Sequence, residues 1–226
     1  GALWPSSCWL PVPASSPPAA ASRRSAAAAI LLASLTAQSP RPVAAFPNRV
    51  KQFQGPKTPG APAPGVGSGG QLAGCKAAPN CFSSAPGTDR DHYLEPWRFT
   101  GGGAAGAFAD LESVIRAYPP GQRDIDGGGF EIQRSDPASG YLYVQFESLK
   151  KGYIDDVEFI VRPDSSGSEA GEVLVRSASR LGYLDLGVNA KRLNRVSEDL
   201  RALAGGRWSA PKITGERFPR YVEENR

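Results

Sequence analysis

Residues 152–192 read GYIDDVEFIVRPDSSGSEAGEVLVRSASRLGYLDLGVNAKR, and they carry the clearest information about the fold. Two segments in it, Tyr153–Arg162 and Glu172–Leu181, are rich in β-branched and aromatic residues. A Ser- and Gly-rich turn separates them, which favours two antiparallel strands joined as a hairpin. The stretch therefore predicts the centre of an antiparallel sheet.

The charged residues of this hairpin fall into a pattern once a register is chosen. Pairing the residues next to the turn places Glu158 across from Arg176, and Asp156 diagonal to both Arg176 and Arg180. Opposite charges on neighbouring strands attract each other. Asp155 points to the other, apolar side of the strand, where a carboxylate must find hydrogen-bond donors because an unpaired buried charge is costly.

Three interpretations of this charged cluster remain open from the residues alone. It can be a structural salt-bridge network, an anion or lipid-headgroup site built on the arginines, or a pair of carboxylates for acid and base chemistry. The sequence has one histidine, His92, and no GxSxG motif, Cys/His pair or metal-spaced ligand set. We therefore expect no catalytic residue, metal site or cofactor, and a protein that is not an enzyme.

The end of the quoted stretch predicts a tight link into a helix. In Leu181–Asn189, Gly182 and Gly187 are suited to unusual backbone angles, and Asp185 can accept hydrogen bonds from loop amides. A helix is predicted over Asn189–Ala204, with Asn189 as its N-terminal cap.

The residues before the hairpin complete the predicted domain. A helix is expected over Ala104–Tyr118, where apolar residues recur at helical spacing, and strands are expected over Phe130–Arg134 and Tyr141–Leu149. The fold class is therefore α+β: a twisted antiparallel sheet of about four or more strands with an N-terminal and a C-terminal helix packed on it.

Charge divides the chain into a basic leader and a slightly acidic remainder. Residues 1–88 contain seven Lys and Arg but no Asp or Glu, whereas residues 89–226 hold all 22 acidic residues and the other 19 of the 26 basic ones. Because the folded part carries no basic stripe, we expect no nucleic-acid partner. We divide the chain into a targeting presequence (1–45), a Pro/Gly-rich linker (46–70), the α+β domain (71–206) and a C-terminal extension (207–226).

The presequence has the features of a plastid targeting signal. Arg23-Arg24 precedes an apolar run over residues 26–37, and small residues end at Ala45. Such a run is too short to span a membrane, so we expect no transmembrane helix in the mature chain. The pattern is typical of thylakoid-lumen proteins, or, through the junction Ala45-Phe46, of proteins in complex plastids. A disordered Ala-rich tail is the remaining alternative.

Two further features concern cysteines and aromatics. Cys75 and Cys81 flank a Pro-Asn turn and can form a disulfide, remain free thiols, or bind a metal with ligands from elsewhere. The extension holds Trp208, Phe218 and Tyr221 among charged residues. It is expected to be either a solvent-exposed tail or an arm that docks on a partner through these aromatics.

These motifs together resemble a known family. The chain is similar to domain of unknown function family 1499 over residues 72–206, through Pro79–Ser84, Asp155–Phe159, Val175–Tyr183 and Asp185–Asn189 with Arg192. The resemblance implies relatives in bacteria and in the plastids of plants and algae. It implies no activity.

The resulting functional expectation has two forms. The first is a non-catalytic accessory or peripheral subunit of a thylakoid membrane complex, with photosystem subunits as its protein partners. It would reside in the thylakoid lumen or on the lumenal membrane surface. The alternative is a small-molecule or lipid-binding module that uses the concave face of the sheet with Arg176 and Arg180.

Overall fold

The predicted hairpin forms the two longest strands of the molecule. A computed structural model of the chain describes residues 46–50 and 70–226. In chain order, these residues form β1 (Cys81–Ser83), β2 (Trp97–Phe99), α1 (Gly103–Arg116), β3 (Gly129–Asp136), β4 (Tyr141–Glu147), β5 (Ile154–Pro163), β6 (Gly171–Ser179), α2 (Val188–Ala202), β7 (Trp208–Ser209) and α3 (Pro219–Glu224).

One antiparallel sheet of seven strands contains every strand of the described residues. Its order is β3-β4-β5-β6-β2-β7, and β1 pairs with β6 as well. The strands β1 and β2 occupy successive parts of β6, opposite Arg176–Ala178 and Gly171–Val173. The α+β class is confirmed, and the sheet is larger than the four strands that the sequence made visible.

The register predicted for the hairpin is also confirmed. Arg162 pairs with Glu172 and Glu158 pairs with Arg176. Because side chains alternate between the faces of a strand, this register places Asp156 and Glu158 on one face and Asp155 on the other.

The two faces of the sheet bury different clusters. Val157 and Phe159 of β5 belong to the main core, which also contains Leu111 of α1 and Leu193 of α2. A smaller cluster uses the alternate residues of the strands together with Leu72 from the segment before β1; its members are Leu72, Tyr141, Tyr143, Ile160 and Leu174.

The C-terminal extension is part of the domain, so the prediction of an exposed tail or a partner-docking arm was wrong. Trp208 in β7 pairs with Phe99 of β2. The rings of Phe218 and Tyr221 pack on Phe82 of β1 at centroid distances of 5.1 and 4.5 Å. All three extension aromatics are buried. They cover apolar side chains of the short strands β1 and β2, Phe82 and Phe99, at the edge of the core.

The first residues of the predicted linker also contact the domain. Phe46 is buried, the side-chain oxygen of Asn48 accepts a hydrogen bond from the Phe130 amide at 2.8 Å, and the Val50 amide donates to the Gly127 carbonyl. The presequence prediction for 1–45 and the linker prediction for 51–69 lie outside the described residues. Within 46–50 and 70–226, none of the helices combines the length and the apolar character that crossing a membrane requires.

Candidate functional site

The predicted arginine cluster is a closed network on one face of the sheet. Arg180 donates to both carboxylate oxygens of Asp156, at 2.7 and 2.8 Å, and the Tyr143 hydroxyl donates to the same carboxylate at 2.6 Å. Arg176 donates to Glu158 at 3.0 Å, and Tyr141 donates to the other oxygen of Glu158 at 2.7 Å. Each predicted guanidinium therefore has a carboxylate partner.

This face is largely shielded from solvent. Glu158 is fully buried, and the side chains of Arg176 and Arg180 are 16% and 10% exposed. Arg162 donates to the Gly70 carbonyl, and Ser83 donates to the Ala73 carbonyl at 2.7 Å. These bonds hold the segment around Leu72 across the face. The geometry corresponds to a structural salt-bridge network rather than to an open anion site.

A disulfide anchors the covering segment to β1. Cys75 and Cys81 are joined by an S–S bond, which selects one of the three alternatives left open for this pair. Among the described residues, no group of three or more His, Cys, Asp and Glu side chains is arranged to hold a metal ion.

Asp155 belongs to a different network, centred on the buried Arg192. Arg192 donates to Asp126 at 2.9 and 2.5 Å and to Asp155 at 2.7 Å. Its remaining N–H groups donate to Asn189 and Ser177, and its guanidinium lies over the Phe146 ring at 4.6 Å. All five guanidinium donors therefore have acceptors, as a buried arginine requires.

The two networks shift the ionisation of their members through burial and charge. Burial raises the pKa of Asp155, and the nearby Arg192 charge offsets only part of that rise. Burial likewise raises the pKa of Glu158 despite bonds from Tyr141 and Arg176. Burial opposes the charge of Arg192, but Asp126 and Asp155 outweigh it and hold its pKa above the usual value.

Asp185 organises the loop between β6 and α2. It accepts from the amides of Gly187 and Asn189 at 3.0 and 2.9 Å and from the Tyr221 hydroxyl at 2.8 Å. The prediction that Asp185 accepts from loop amides is confirmed, and Gly182 and Gly187 have positive φ values as expected. The helix α2 begins at Val188, one residue earlier than predicted, and Gly187 occupies its N-terminal cap position, so the prediction of Asn189 as the cap was wrong.

Asn225, the residue directly after α3, also holds this loop. The Asn225 side-chain oxygen accepts from the Asp185 and Leu186 amides at 2.9 and 3.0 Å. Its side-chain nitrogen donates to the Pro79 carbonyl at 2.7 Å. The loop is thus held by hydrogen bonds at several points.

A pocket of about 590 Å³ opens at this end of the sheet. Three chain segments surround it: residues 124–126, the β4–β5 loop with the start of β5 at 148–155, and the β6–α2 loop with its flanking residues at 179–188. Its polar lining includes Asp126, Asp155 and Asp185, and its apolar lining is Ile125, Leu149, Tyr153, Leu181, Leu184, Leu186 and Val188. Lys150 and Lys151 line it as exposed residues.

The same loops expose an unusual number of large apolar side chains. The end-loop patch consists of Tyr153, Leu181, Tyr183, Leu184 and Leu186, which are 41% to 65% exposed. Leu186 is the most exposed and has φ 56°, a conformation that is unfavourable for a leucine. Monomeric proteins seldom expose large contiguous apolar patches without a functional reason.

The structure therefore separates the predicted site residues into two places. Asp156, Glu158, Arg176 and Arg180 form the sheet-face network, whereas Asp155 and Asp185 line the end pocket. Asp126 was not predicted as a site residue, because it belongs to no recognisable sequence motif. The apolar run Leu181-Gly182-Tyr183-Leu184-Asp185-Leu186, unusually apolar for a loop, was the available signal for the patch.

Comparison with known proteins identifies a family but no function. A family model described as "Protein of unknown function (DUF1499)" matches residues 71–200, in agreement with the resemblance found in the motifs. No curated protein matches the chain, and no solved structure matches it.

Proposed function

We propose a function from the premise that the chain belongs to the DUF1499 family of proteins of unknown function. The domain is a non-catalytic accessory subunit that docks on a membrane complex through the end-loop patch. The observation that carries this proposal is the exposure of five large apolar side chains on two neighbouring loops. Burying them on a partner would remove apolar surface from water at about 25 cal/mol per Å².

The rigidity of the patch supports docking. Asp185 and Asn225 hold the β6–α2 loop through backbone amides, so little conformational entropy is lost when a partner binds. The two longer helices, α1 and α2, pack on the core side of the sheet in this proposal, and the end loops remain accessible to a partner.

The N-terminal sequence supports a location for the proposed complex. The arginine pair, the apolar run and the small residues before Phe46 favour a plastid, at the lumenal side of the thylakoid membrane. A photosystem is the complex we propose to test first.

Co-migration on native gels tests this proposal directly. The protein is expected to migrate with a photosystem in detergent-solubilised thylakoids, and the variant Tyr183→Ser/Leu186→Ser is expected to leave the complex while remaining folded. Tyr93→Ser is the matched control, because Tyr93 is an exposed large side chain outside the patch. A wild-type protein found only as a soluble monomer would contradict the proposal.

The second candidate function is binding of a small molecule or lipid. On the sheet face, such a ligand would have to displace Asp156 and Glu158 from Arg180 and Arg176, so the paired arginines disfavour that location. The end pocket supports this function better, because its volume lies within the range of small-molecule sites and its walls are mostly apolar. Native mass spectrometry of the purified protein tests it through retention of a ligand.

A further inference from the structure

The chemistry of the end pocket restricts the ligand that it can hold. The three buried carboxylates of its lining already have donors: Asp126 and Asp155 accept from Arg192, and Asp185 accepts from Tyr221 and from backbone amides. A cationic ligand would have to compete with these internal donors. The buried acids therefore do not make this a cation site.

Two of the three exposed charged residues in the lining are basic. Lys150 and Lys151 lie in the β4–β5 loop, and both are exposed. The exposed acid of the lining is Asp124, on another loop. Nearby, the Lys191 ammonium donates to the Leu186 carbonyl at 3.2 Å. Basic groups therefore predominate where the pocket meets solvent, and they favour an anionic group there.

The pocket also has an apolar lining. Leu149 of the β4–β5 loop, Leu181 and Leu184 of the β6–α2 loop, and Val188 at the start of α2 line the same cavity. An apolar chain enclosed by them is removed from water, which is the main favourable term for such a ligand.

Backbone strain is concentrated at the same place. Among the described residues, those other than glycine with positive φ are Arg123, Asp124, Asp126 and Leu186. Three of them line the pocket, and Arg123 is adjacent to it in sequence. Strained conformations of this kind cluster at ligand-binding sites.

We infer that the end pocket binds a single-chain amphipathic anion, with its apolar chain among the leucines and its carboxylate or phosphate head at Lys150 and Lys151. This inference rests on the second candidate function and adds the charge and the shape of the ligand. The carboxylate could belong to a free fatty acid and the phosphate to a lipid with one chain, and both share the chemistry that the pocket recognises.

Calorimetric titration of the purified protein with ligands of one chain length tests the inference. The probes are dodecanoate, dodecyl phosphate, dodecyltrimethylammonium and dodecyl maltoside, each below its critical micelle concentration, and inorganic phosphate without a chain. Dodecanoate or dodecyl phosphate is expected to bind at least tenfold more tightly than the cationic and neutral probes. Inorganic phosphate alone is expected not to bind. The tighter of the two anions identifies the head group.

Variants assign the binding to the pocket. Lys150→Gln/Lys151→Gln is expected to weaken anion binding about tenfold without changing the neutral probe, whereas Leu184→Ser weakens every probe that has a chain. Lys76→Gln, at an exposed lysine outside the pocket, is the matched control and should behave as wild type.

The possible failures are distinguishable. Equal binding of all four amphiphiles, or preference for the cation, would overturn the anion assignment while leaving the ligand-binding function standing. Absence of binding by every amphiphile would overturn both. Loss of anion binding in Lys76→Gln as well as in the lysine pair would also count against the site.

Discussion

Asp155 and Asp156 are neighbours in sequence but belong to two different regions of the molecule. Asp156 of β5 pairs with Arg180, the residue directly after β6, on the face covered by Leu72. Asp155 reaches through the opposite face to Arg192 of α2, which also binds Asp126.

The difference shows that similar ion pairs can have different structural roles. The sheet-face network adds side-chain bonds between β5 and the strand β6, which backbone hydrogen bonds already hold together. The Arg192 network joins a strand, a helix and the loop before β3, so it depends on the whole fold. Two of its members, Asp126 and Asp155, line the pocket. We expect the second network to be the more sensitive to substitution.

The largest effect is expected from Arg192→Met. Removing the guanidinium leaves the carboxylates of Asp126 and Asp155 buried without their cation, which should lower the free energy of unfolding by about 3–5 kcal/mol. Urea denaturation measures it. The control Arg98→Met removes an arginine that is 65% exposed and should cost no more than about 1 kcal/mol. Similar losses in the two variants would show that the buried network has no special role.

Loss of the disulfide should have the next largest effect on stability. It concerns the other region, the sheet face covered by the segment around Leu72. Cys75→Ala/Cys81→Ala removes a small closed loop, which is expected to lower stability by about 2 kcal/mol by chain entropy. Thermal unfolding with and without reductant measures the effect. The wild type should lose stability when reduced and the variant should not. A wild type that is indifferent to the reductant would contradict the expectation.

A smaller effect is expected from Asp156→Asn. The amide oxygen can still accept from Tyr143 and Arg180, so the loss should be about 1–2 kcal/mol. A double-mutant cycle with Arg180→Met gives the coupling energy of the pair. Asp164→Asn, in the exposed turn between β5 and β6, is the control. A loss as large as that of Arg192→Met would remove the distinction between the two networks.

The smallest effect is expected in the pH dependence of stability. Burial raises the pKa of Asp155 above its ordinary value of 3.8, so the native state holds this proton at a higher pH than the unfolded chain does. The contribution of Asp155 to the free energy of unfolding is therefore largest at low pH, and it declines as pH rises from about 4 toward the pKa of Asp155 in the folded state. Glu158 should contribute in the same direction, because burial also raises its pKa.

Comparison of Asp155→Asn with the wild type isolates the contribution of the Asp155 carboxyl to the pH dependence of stability. The variant should lose less stability than the wild type between about pH 4 and pH 7, measured by urea midpoints. Val144→Ala destabilises the core without removing an ionisable group, so the difference in stability between this variant and the wild type should stay constant over the same pH range. Parallel curves for the wild type and Asp155→Asn would show that the carboxyl makes no linked contribution.

Some features of the site could be predicted because they depend on neighbours in one hairpin or one loop. Alternation along β5 and the short turn determine the Glu158–Arg176 pairing. The spacing of Asp185 from Gly187 and Asn189 allows it to accept from their amides. Local geometry is sufficient for both.

Other features could not be read from any window of sequence. The strands β1, β2 and β7 have two or three residues each, too few for a periodic pattern, and they exist because β6 and β2 offer free edges. Trp208, Phe218 and Tyr221 stand among charges, as in a surface segment, but the apolar edge around Phe82 and Phe99 buries them.

Sequence patterns were sufficient for the α+β class, the central hairpin and its register, and family membership, since these rest on alternation, turns and local motifs. The folded domain was needed to reveal that Asp155 and Asp126 share Arg192 and that three chain segments enclose a pocket with leucines on its walls. The reason is distance along the chain. Asp126 and Arg192 are 66 residues apart, and contacts of that span are specified by the packing of the whole domain.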